Sequence, residues 1–412
     1  MSASVKKNIL YVENGIGYGG AIICLRHLVR NLDRSHYIPL VVTGRTSPDY
    51  QDIANEAQWQ YIADRHIDNV GLRTHLAKLA WLNNSTALRF IYGQLLARAD
   101  DVFNFLPFFL RLLWTAKRFR ADLIHANNDP LCNRAALLAA KLLGIPSVCH
   151  IRGGNHEGSR FMHWTYTLPD HFISVSQWVA KSMQNKLHIP AEKISVVYDG
   201  IALEKLNIHA DGTEFRQAYH IPNDAFAVGL VGLLIPWKGQ ELFLDAAKLL
   251  QQKIPQLKML IIGGTPDDCV TYEAMLRQRV ITEQLTGLII FTGHVSAMEA
   301  VYNGLDVVLS ASTDPEPLGT VVIEAMAMGR PLIGPNHGGA AEMMQHDETG
   351  LLFTPRDAQS LADAIEKFYR SKTLRATLGA NARLAALKAF AVETHVERIQ
   401  TIYQQLLAQT KR

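Results

Sequence analysis

Two glutamates separated by seven residues stand in Asp314-Pro315-Glu316-Pro317-Leu318-Gly319-Thr320-Val321-Val322-Ile323-Glu324-Ala325-Met326-Ala327-Met328-Gly329. A carboxylate accepts two hydrogen bonds at once, which suits the vicinal hydroxyls of a sugar or a ribose. The apolar run 307–310 reads as a buried strand, and a helix is expected to begin near Thr320. Glu316 then lies on the connecting loop and Glu324 inside the helix. Gly319 leaves room above the helix N-terminus, where first-turn amides lack partners within the helix and favour an anion such as a diphosphate. Glu324 is embedded among Val321, Val322, Ile323, Ala325 and Met326, which does not fit a solvated surface charge.

A second candidate follows the first strand. Gly15, Gly17 and Gly20 in Asn14-Gly15-Ile16-Gly17-Tyr18-Gly19-Gly20 satisfy the spacing of a phosphate-binding glycine loop. A dinucleotide site also needs an acidic residue at the end of the next strand, to hold a ribose. Thr43-Gly44-Arg45 stands there, without an acid, so the pattern argues against a dehydrogenase. It leaves a backbone able to approach some phosphate or sugar.

The elements that must position these groups alternate strand and helix. Strands are expected at 8–12, 38–43, 122–125, 147–150 and 172–174, with helical stretches such as 21–31 and 133–143 between them. The cycle starts again with strands at 227–231, 258–262, 288–292, 307–310, 331–334 and 350–353. Such alternation gives parallel sheets with right-handed crossovers, and two sets give an α/β chain of two doubly wound, Rossmann-like domains. The expected division is 1–200, 201–390 and a terminal helix, 391–412, packing back on the N-terminal domain. That helix carries an apolar stripe at Val396, Ile399, Tyr403, Leu406 and Leu407.

Composition narrows the class. Of 412 residues 48% are hydrophobic, and the net charge of +3 is too small to suggest nucleic acid as a partner. Four scattered cysteines, Cys24, Cys132, Cys149 and Cys269, form no metal or redox motif, and no Asp-x-Asp occurs. With no signal-like leader and no apolar run of the ~18 residues a membrane span needs, a cytoplasmic location is expected. One segment departs from the rest: 69–120 holds eight basic residues against Asp100 and Asp101, interleaved with Trp81, Phe90, Phe103, Phe105, Phe108, Phe109 and Trp114. Such a segment suits peripheral contact with an anionic membrane through 103–120, or a helix packed on the sheet with its arginines in water.

Taken together, the motifs resemble glycosyltransferase family 4, with its GT-B fold of two Rossmann-like domains facing across a cleft. Besides Glu316 and Glu324, the likeness rests on Gly232, Lys238-Gly239, Phe291-Thr292-Gly293, Gly338-Gly339 before Glu342, and Gly350-Leu351-Leu352-Phe353. It covers essentially the whole chain and is densest over 229–353. The resemblance implies that Glu324 binds the ribose of a nucleotide-sugar donor. It places Glu316 on hydroxyls of the transferred hexose, with Lys238 neutralising the diphosphate. Backbone amides of Leu318, Gly319 and Thr320 would contact sugar and phosphates, Gly19 and Gly20 would close over the phosphates, and His150 would lie near the donor sugar. The acceptor would be a glycan or lipid-linked saccharide, with no cofactor and no metal, and with retention at the anomeric carbon. Two positions depart from the family pattern. Leu233 stands where an arginine is usual, so Lys238 acts alone or Arg152 supplies the second cation, and Asp199 stands where Asn is commoner. A GT-B nucleotide-sugar epimerase and a non-catalytic GT-B partner protein are the alternative readings.

Overall fold

In the computed structural model the described residues are 5–15, 20–65, 98–153, 160–203 and 206–409. Gly17, Gly19, the stretch 69–97 and most of the loop after Gly153 lie outside them. The chain divides into two compact units. The first comprises Met1–Ser174, Ser182–Val197 and Val396–Arg412; the second comprises Val175–Lys181 and Tyr198–His395.

The first unit is built on seven strands: β1 (Lys7–Glu13), β2 (Tyr37–Thr43), β3 (Gln58–Tyr61), β4 (Leu123–Asn127), β5 (Ser147–Ile151), β6 (His171–Ser174) and β7 (Ile194–Val196). They pair in the order β3-β2-β1-β4-β5-β6-β7, every pair parallel. β4 and β5 are buried at every position, as strands covered by helices on both faces must be. The expected strands are present to within a residue or two at their ends. β3 and β7 were not expected: each is a short edge strand, and Gln58-Trp59-Gln60-Tyr61 has no apolar run to announce it. β3 is secured instead by its ladder to β2 and by Trp59 Nε1, which donates to Thr43 Oγ1 at 2.9 Å. The terminal helix, Val392–Gln409, lays Val396, Ile399, Ile402, Tyr403 and Leu406 in the core. Its Tyr403 hydroxyl meets Tyr11 Oη at 3.2 Å and His125 Nδ1 at 2.5 Å.

The second unit has six strands: β8 (Phe226–Val231), β9 (Leu257–Ile262), β10 (Ile289–Gly293), β11 (Val307–Leu309), β12 (Leu332–Pro335) and β13 (Leu351–Phe353). Their order is β10-β9-β8-β11-β12-β13, again all parallel. In each sheet the chain starts in the middle and builds outward in both directions, so the order reverses between β1 and β4 and between β8 and β11. Open sheets of this kind bind ligands outside the carboxyl ends of the strands at that reversal. The segments holding Lys238 and Glu316 follow β8 and β11, the two strands that flank the reversal in the second sheet.

Candidate functional site

The loop after β11 and the turn after β8 are held together by an ion pair. Lys238 Nζ donates to Glu316 Oε1, with side chains only 20% and 10% exposed. Lys238 ends a short turn, Pro236–Lys238, and its ammonium lies 4.6 Å from the centre of the Trp237 ring. Gly239 follows at φ 82, and a Cβ there would come within 2.0 Å of Ala311 O, so this position admits only glycine. The turn after β8 is thereby pressed against the strand-to-loop segment that carries Glu316.

The Glu316 loop is fixed from its other side by the helix Gly338–Met343. Gly339 N donates to Glu316 O at 2.8 Å, and a Cβ on Gly338 (φ 60) would meet Glu316 backbone at 2.7 Å. The glycine pair therefore serves close approach of two backbones. Glu342, at the far end of that short helix, accepts the amides of Gln177 (2.8 Å) and Trp178 and the Tyr198 hydroxyl (3.3 Å). Its carboxylate thus caps the helix that begins at Gln177. At the start of the loop Arg356 Nη2 pairs with Asp314 at 2.6 Å and its Nε donates to Thr313 O, a brace that sequence reasoning missed.

The helix Thr320–Ala327 begins directly after Gly319, whose backbone is extended and offers no capping side chain. Val322 N already donates to Gly319 O at 3.0 Å, whereas the amides of Gly319, Thr320 and Val321 precede the first intrahelical bond, and a Cβ on Gly319 would lie 3.5 Å from Glu316 Oε2. One turn further in, Glu324 accepts the Tyr302 hydroxyl on Oε2 at 2.5 Å. Burial pushes the Glu324 carboxyl above its ordinary range, and the bond from Tyr302 opposes that shift. The two glutamates thus have distinct settings: Glu316 is matched by an ammonium, and Glu324 is enclosed with a phenol. Leu233, at the position lacking arginine, is 52% exposed, and its carbonyl accepts Gln240 Nε2 at 2.9 Å.

Of the residues expected on the first unit, His150 and Arg152 lie at the end of β5. His150 is fully buried, its ring 5.6 Å from that of His125, and its Nδ1 lies 3.5 Å from Arg152 Nη2. Arg152 Nε donates to Asn127 Oδ1 at 3.3 Å. Asn127 in turn donates to Glu13, a buried carboxylate that also receives Asn128 Nδ2 at 2.8 Å and Gly15 N at 2.7 Å. Burial raises the Glu13 carboxyl's affinity for its proton, and these three donors act against it. Gly20 is exposed at the start of the helix Gly20–Arg30; Gly19 lies outside the described residues. Glu13 was missed because it directly follows the apolar run Ile9-Leu10-Tyr11-Val12 and belongs to no motif of its own.

The cationic segment forms the helix Leu106–Phe119. It buries Phe108, Leu112, Thr115 and Ala116 against the sheet beside Leu10, Val12 and Ile124. The packed-helix expectation therefore holds for this face. Phe103, Leu106, Leu110 and Trp114 nevertheless stay exposed, Phe103 by 75% and Trp114 by 57%. Arg118 lies over the Trp114 ring at 5.0 Å. Among the described residues no group of His, Cys, Asp and Glu is arranged to hold a metal ion, and no helix is long and apolar enough to cross a membrane.

Known proteins share both the pattern and the architecture. The family model for glycosyl transferases group 1 matches residues 211–385, and that for glycosyltransferase family 4 matches 18–205. The capsular polysaccharide biosynthesis glycosyltransferase CapM of Staphylococcus aureus is 28% identical over 52% of this chain and 54% of its own length. The N-acetyl-alpha-D-glucosaminyl L-malate synthase of Bacillus anthracis is 24% identical over 76% of this chain and 83% of its own. The match thus spans about half the length of some curated relatives and most of others. Anabaena HepE, solved in complex with UDP, superposes with a TM-score of 0.79 at 24% identity, covering 97% of this chain and 100% of that one. One family model covers each unit's motifs and the architecture is shared end to end, so the chain belongs to the family 4 glycosyltransferases and has their GT-B fold.

Proposed function

We propose that the chain transfers a hexose from a UDP- or GDP-linked donor to a glycan or lipid-linked saccharide, with retention, in the assembly of a cell-surface polysaccharide or lipopolysaccharide. The carrying observation is the Lys238–Glu316 pair, set beside the amides that open the Thr320–Ala327 helix at the reversal of the second sheet. Breaking the bond between sugar and phosphate builds positive charge at the anomeric carbon and negative charge on the departing diphosphate. Fixed dipoles and an ammonium aimed at that growing anion lower the barrier without reorganising. In this reading Lys238 and the amides of Leu318, Gly319 and Thr320 hold the diphosphate, Glu316 orients the hexose hydroxyls, and Glu324 takes the ribose. Gly19, Gly20, His150 and Arg152 are the first unit's proposed contributors, Arg152 as the second cation that Leu233 does not provide. The acceptor hydroxyl attacks the anomeric carbon on the face the diphosphate leaves, and its proton passes to the leaving phosphate oxygen. The similarity to CapM supports the polysaccharide setting.

No cofactor or metal enters this route, so transfer is expected to persist in EDTA. Assays of nucleoside-diphosphate release with and without chelator check this; complete loss, restored by Mg²⁺ or Mn²⁺, would contradict a route resting on cation and dipole. The same assay separates the readings of the family: a transferase releases nucleoside diphosphate in step with added acceptor, whereas an epimerase converts the donor with no acceptor present.

A lipid-linked acceptor would be met at the inner face of the membrane. The exposed Phe103, Leu106, Leu110 and Trp114, flanked by Arg111, Lys117 and Arg118, support reversible contact there. Each basic side chain near an anionic surface contributes about 1 kcal/mol, lost as salt screens it. The protein is expected to sediment with anionic vesicles at low salt, to release at high salt, and to lose that binding in Trp114→Ala. Equal failure to bind anionic and neutral vesicles points instead to a soluble acceptor.

A further inference from the structure

Tyr302 lies on the helix Met298–Gly304, just before β11, and is 1% exposed. Its ring is packed in the core beside Val322, Ile323 and Met326. Packing of that kind is equally served by phenylalanine, so the hydroxyl needs its own explanation. It crosses to the helix Thr320–Ala327 and donates to Glu324 Oε2 at 2.5 Å. Burial keeps the phenol protonated throughout the usable pH range, so it is a constant donor. A carboxylate on a flexible stem can rotate; one whose Oε2 is engaged from a rigid core has its plane fixed and offers Oε1 to a ligand. Groups one shell removed from a ligand commonly act this way, by fixing the orientation of the residue that touches it.

We propose that Tyr302 is a positioning residue for nucleotide recognition: its hydroxyl locks the Glu324 carboxylate so that Oε1 accepts from the ribose 2′-hydroxyl, and the site thereby prefers ribonucleotides to 2′-deoxyribonucleotides. This rests on Glu324 taking the ribose, as set out under the proposed function. The Glu324 carboxylate is the reader and the Tyr302 phenol its fixed support, so losing the hydroxyl degrades recognition of the sugar ring of the nucleotide and of nothing else.

The test is calorimetric titration of the full chain with UDP, GDP and their 2′-deoxy counterparts, for the wild type, Tyr302→Phe, Glu324→Ala and the double variant. Phenylalanine keeps the ring, and the ratio of ribo to deoxy affinity does not depend on how much of a preparation is active. The wild type is expected to prefer the ribo form. Tyr302→Phe should weaken the ribo form about fivefold or more, as the loss of one hydrogen bond predicts, and the deoxy form less than about twofold. In the Glu324→Ala background, which leaves no side-chain acceptor for the phenol, it should add nothing, because the two residues act as one unit. An equal loss for ribo and deoxy forms, or a full Tyr302→Phe effect without the Glu324 carboxylate, would overturn the proposal in favour of simple packing. A wild type that binds nucleotide without preferring the ribo form would remove Glu324 from the ribose and Tyr302 with it. A wild type that binds none of the four would overturn the nucleotide-sugar reading itself.

Discussion

Lys238→Ala is expected to lower kcat by about a hundredfold to a thousandfold, the range seen when one preorganised donor to a developing anion is removed, and to change donor affinity far less. The reason is the timing of charge. The leaving diphosphate gains negative charge as the bond breaks, so an ammonium beside it binds the transition state more strongly than the ground state. The same ammonium balances Glu316, whose side chain is only 10% exposed. Removing Lys238 therefore also leaves a buried carboxylate unmatched beside the place proposed for a diphosphate, and that repulsion accounts for the smaller loss of donor affinity. Lys238→Arg keeps the charge but not the compact shape that fits over Gly232 and beside Trp237, so only partial recovery is expected. Steady-state kinetics of the three proteins check this. Turnover of Lys238→Ala close to wild type would shift the role to another cation, Arg152 first.

Glu324→Ala is expected to raise the dissociation constant for the nucleoside diphosphate about tenfold to a hundredfold, since hydrogen bonds to a charged acceptor contribute roughly 1.5–3 kcal/mol. Unlike Lys238, this residue is proposed to bind ground state and transition state alike, so the loss appears in affinity before it appears in turnover. A pH dependence goes with it. The charged carboxylate accepts from hydroxyls, and burial raises the pH at which Glu324 takes up a proton. Affinity should thus be full above that pH and fall as pH drops through it, earlier than for an ordinary carboxylate. Titration of UDP and GDP against pH checks both effects; affinity unchanged by Glu324→Ala removes the residue from the ribose.

The fold and the donor motifs were legible for a shared physical reason. Parallel strands buried on both faces are nearly continuous apolar runs, and 226–231 or 257–262 announce themselves. Likewise Glu316, Gly319 and Glu324 fall within one loop-to-helix segment, where the sequence interval already states the geometry. Groups brought together by the tertiary fold were not legible. Tyr302 meets Glu324 from another helix, and in sequence it reads as one more core aromatic beside Val301. Arg356 braces Asp314 from 42 positions away. Glu13 directly follows an apolar run and acquires its three donors from Gly15, Asn127 and Asn128 only when β1 and β4 are paired. The edge strands β3 and β7 escaped because they bury too little to need an apolar pattern. The helix Leu106–Phe119 was ambiguous because it does two things at once: one face packs on the sheet while Leu106, Leu110 and Trp114 remain in water.

The central claim, that the second unit's loop-and-helix site holds a nucleoside diphosphate, is tested most directly by the melting temperature of the chain in the presence of UDP, GDP, ADP and their hexose conjugates. A ligand that binds the folded chain alone stabilises it by mass action, by about 2.7 kcal/mol at a hundredfold excess over its dissociation constant. The account predicts that one base raises the melting temperature, that its sugar conjugate does so too, and that the rise at the same concentration is at least halved in Glu324→Ala. No rise with any of these nucleotides, or an undiminished rise in Glu324→Ala, would contradict it.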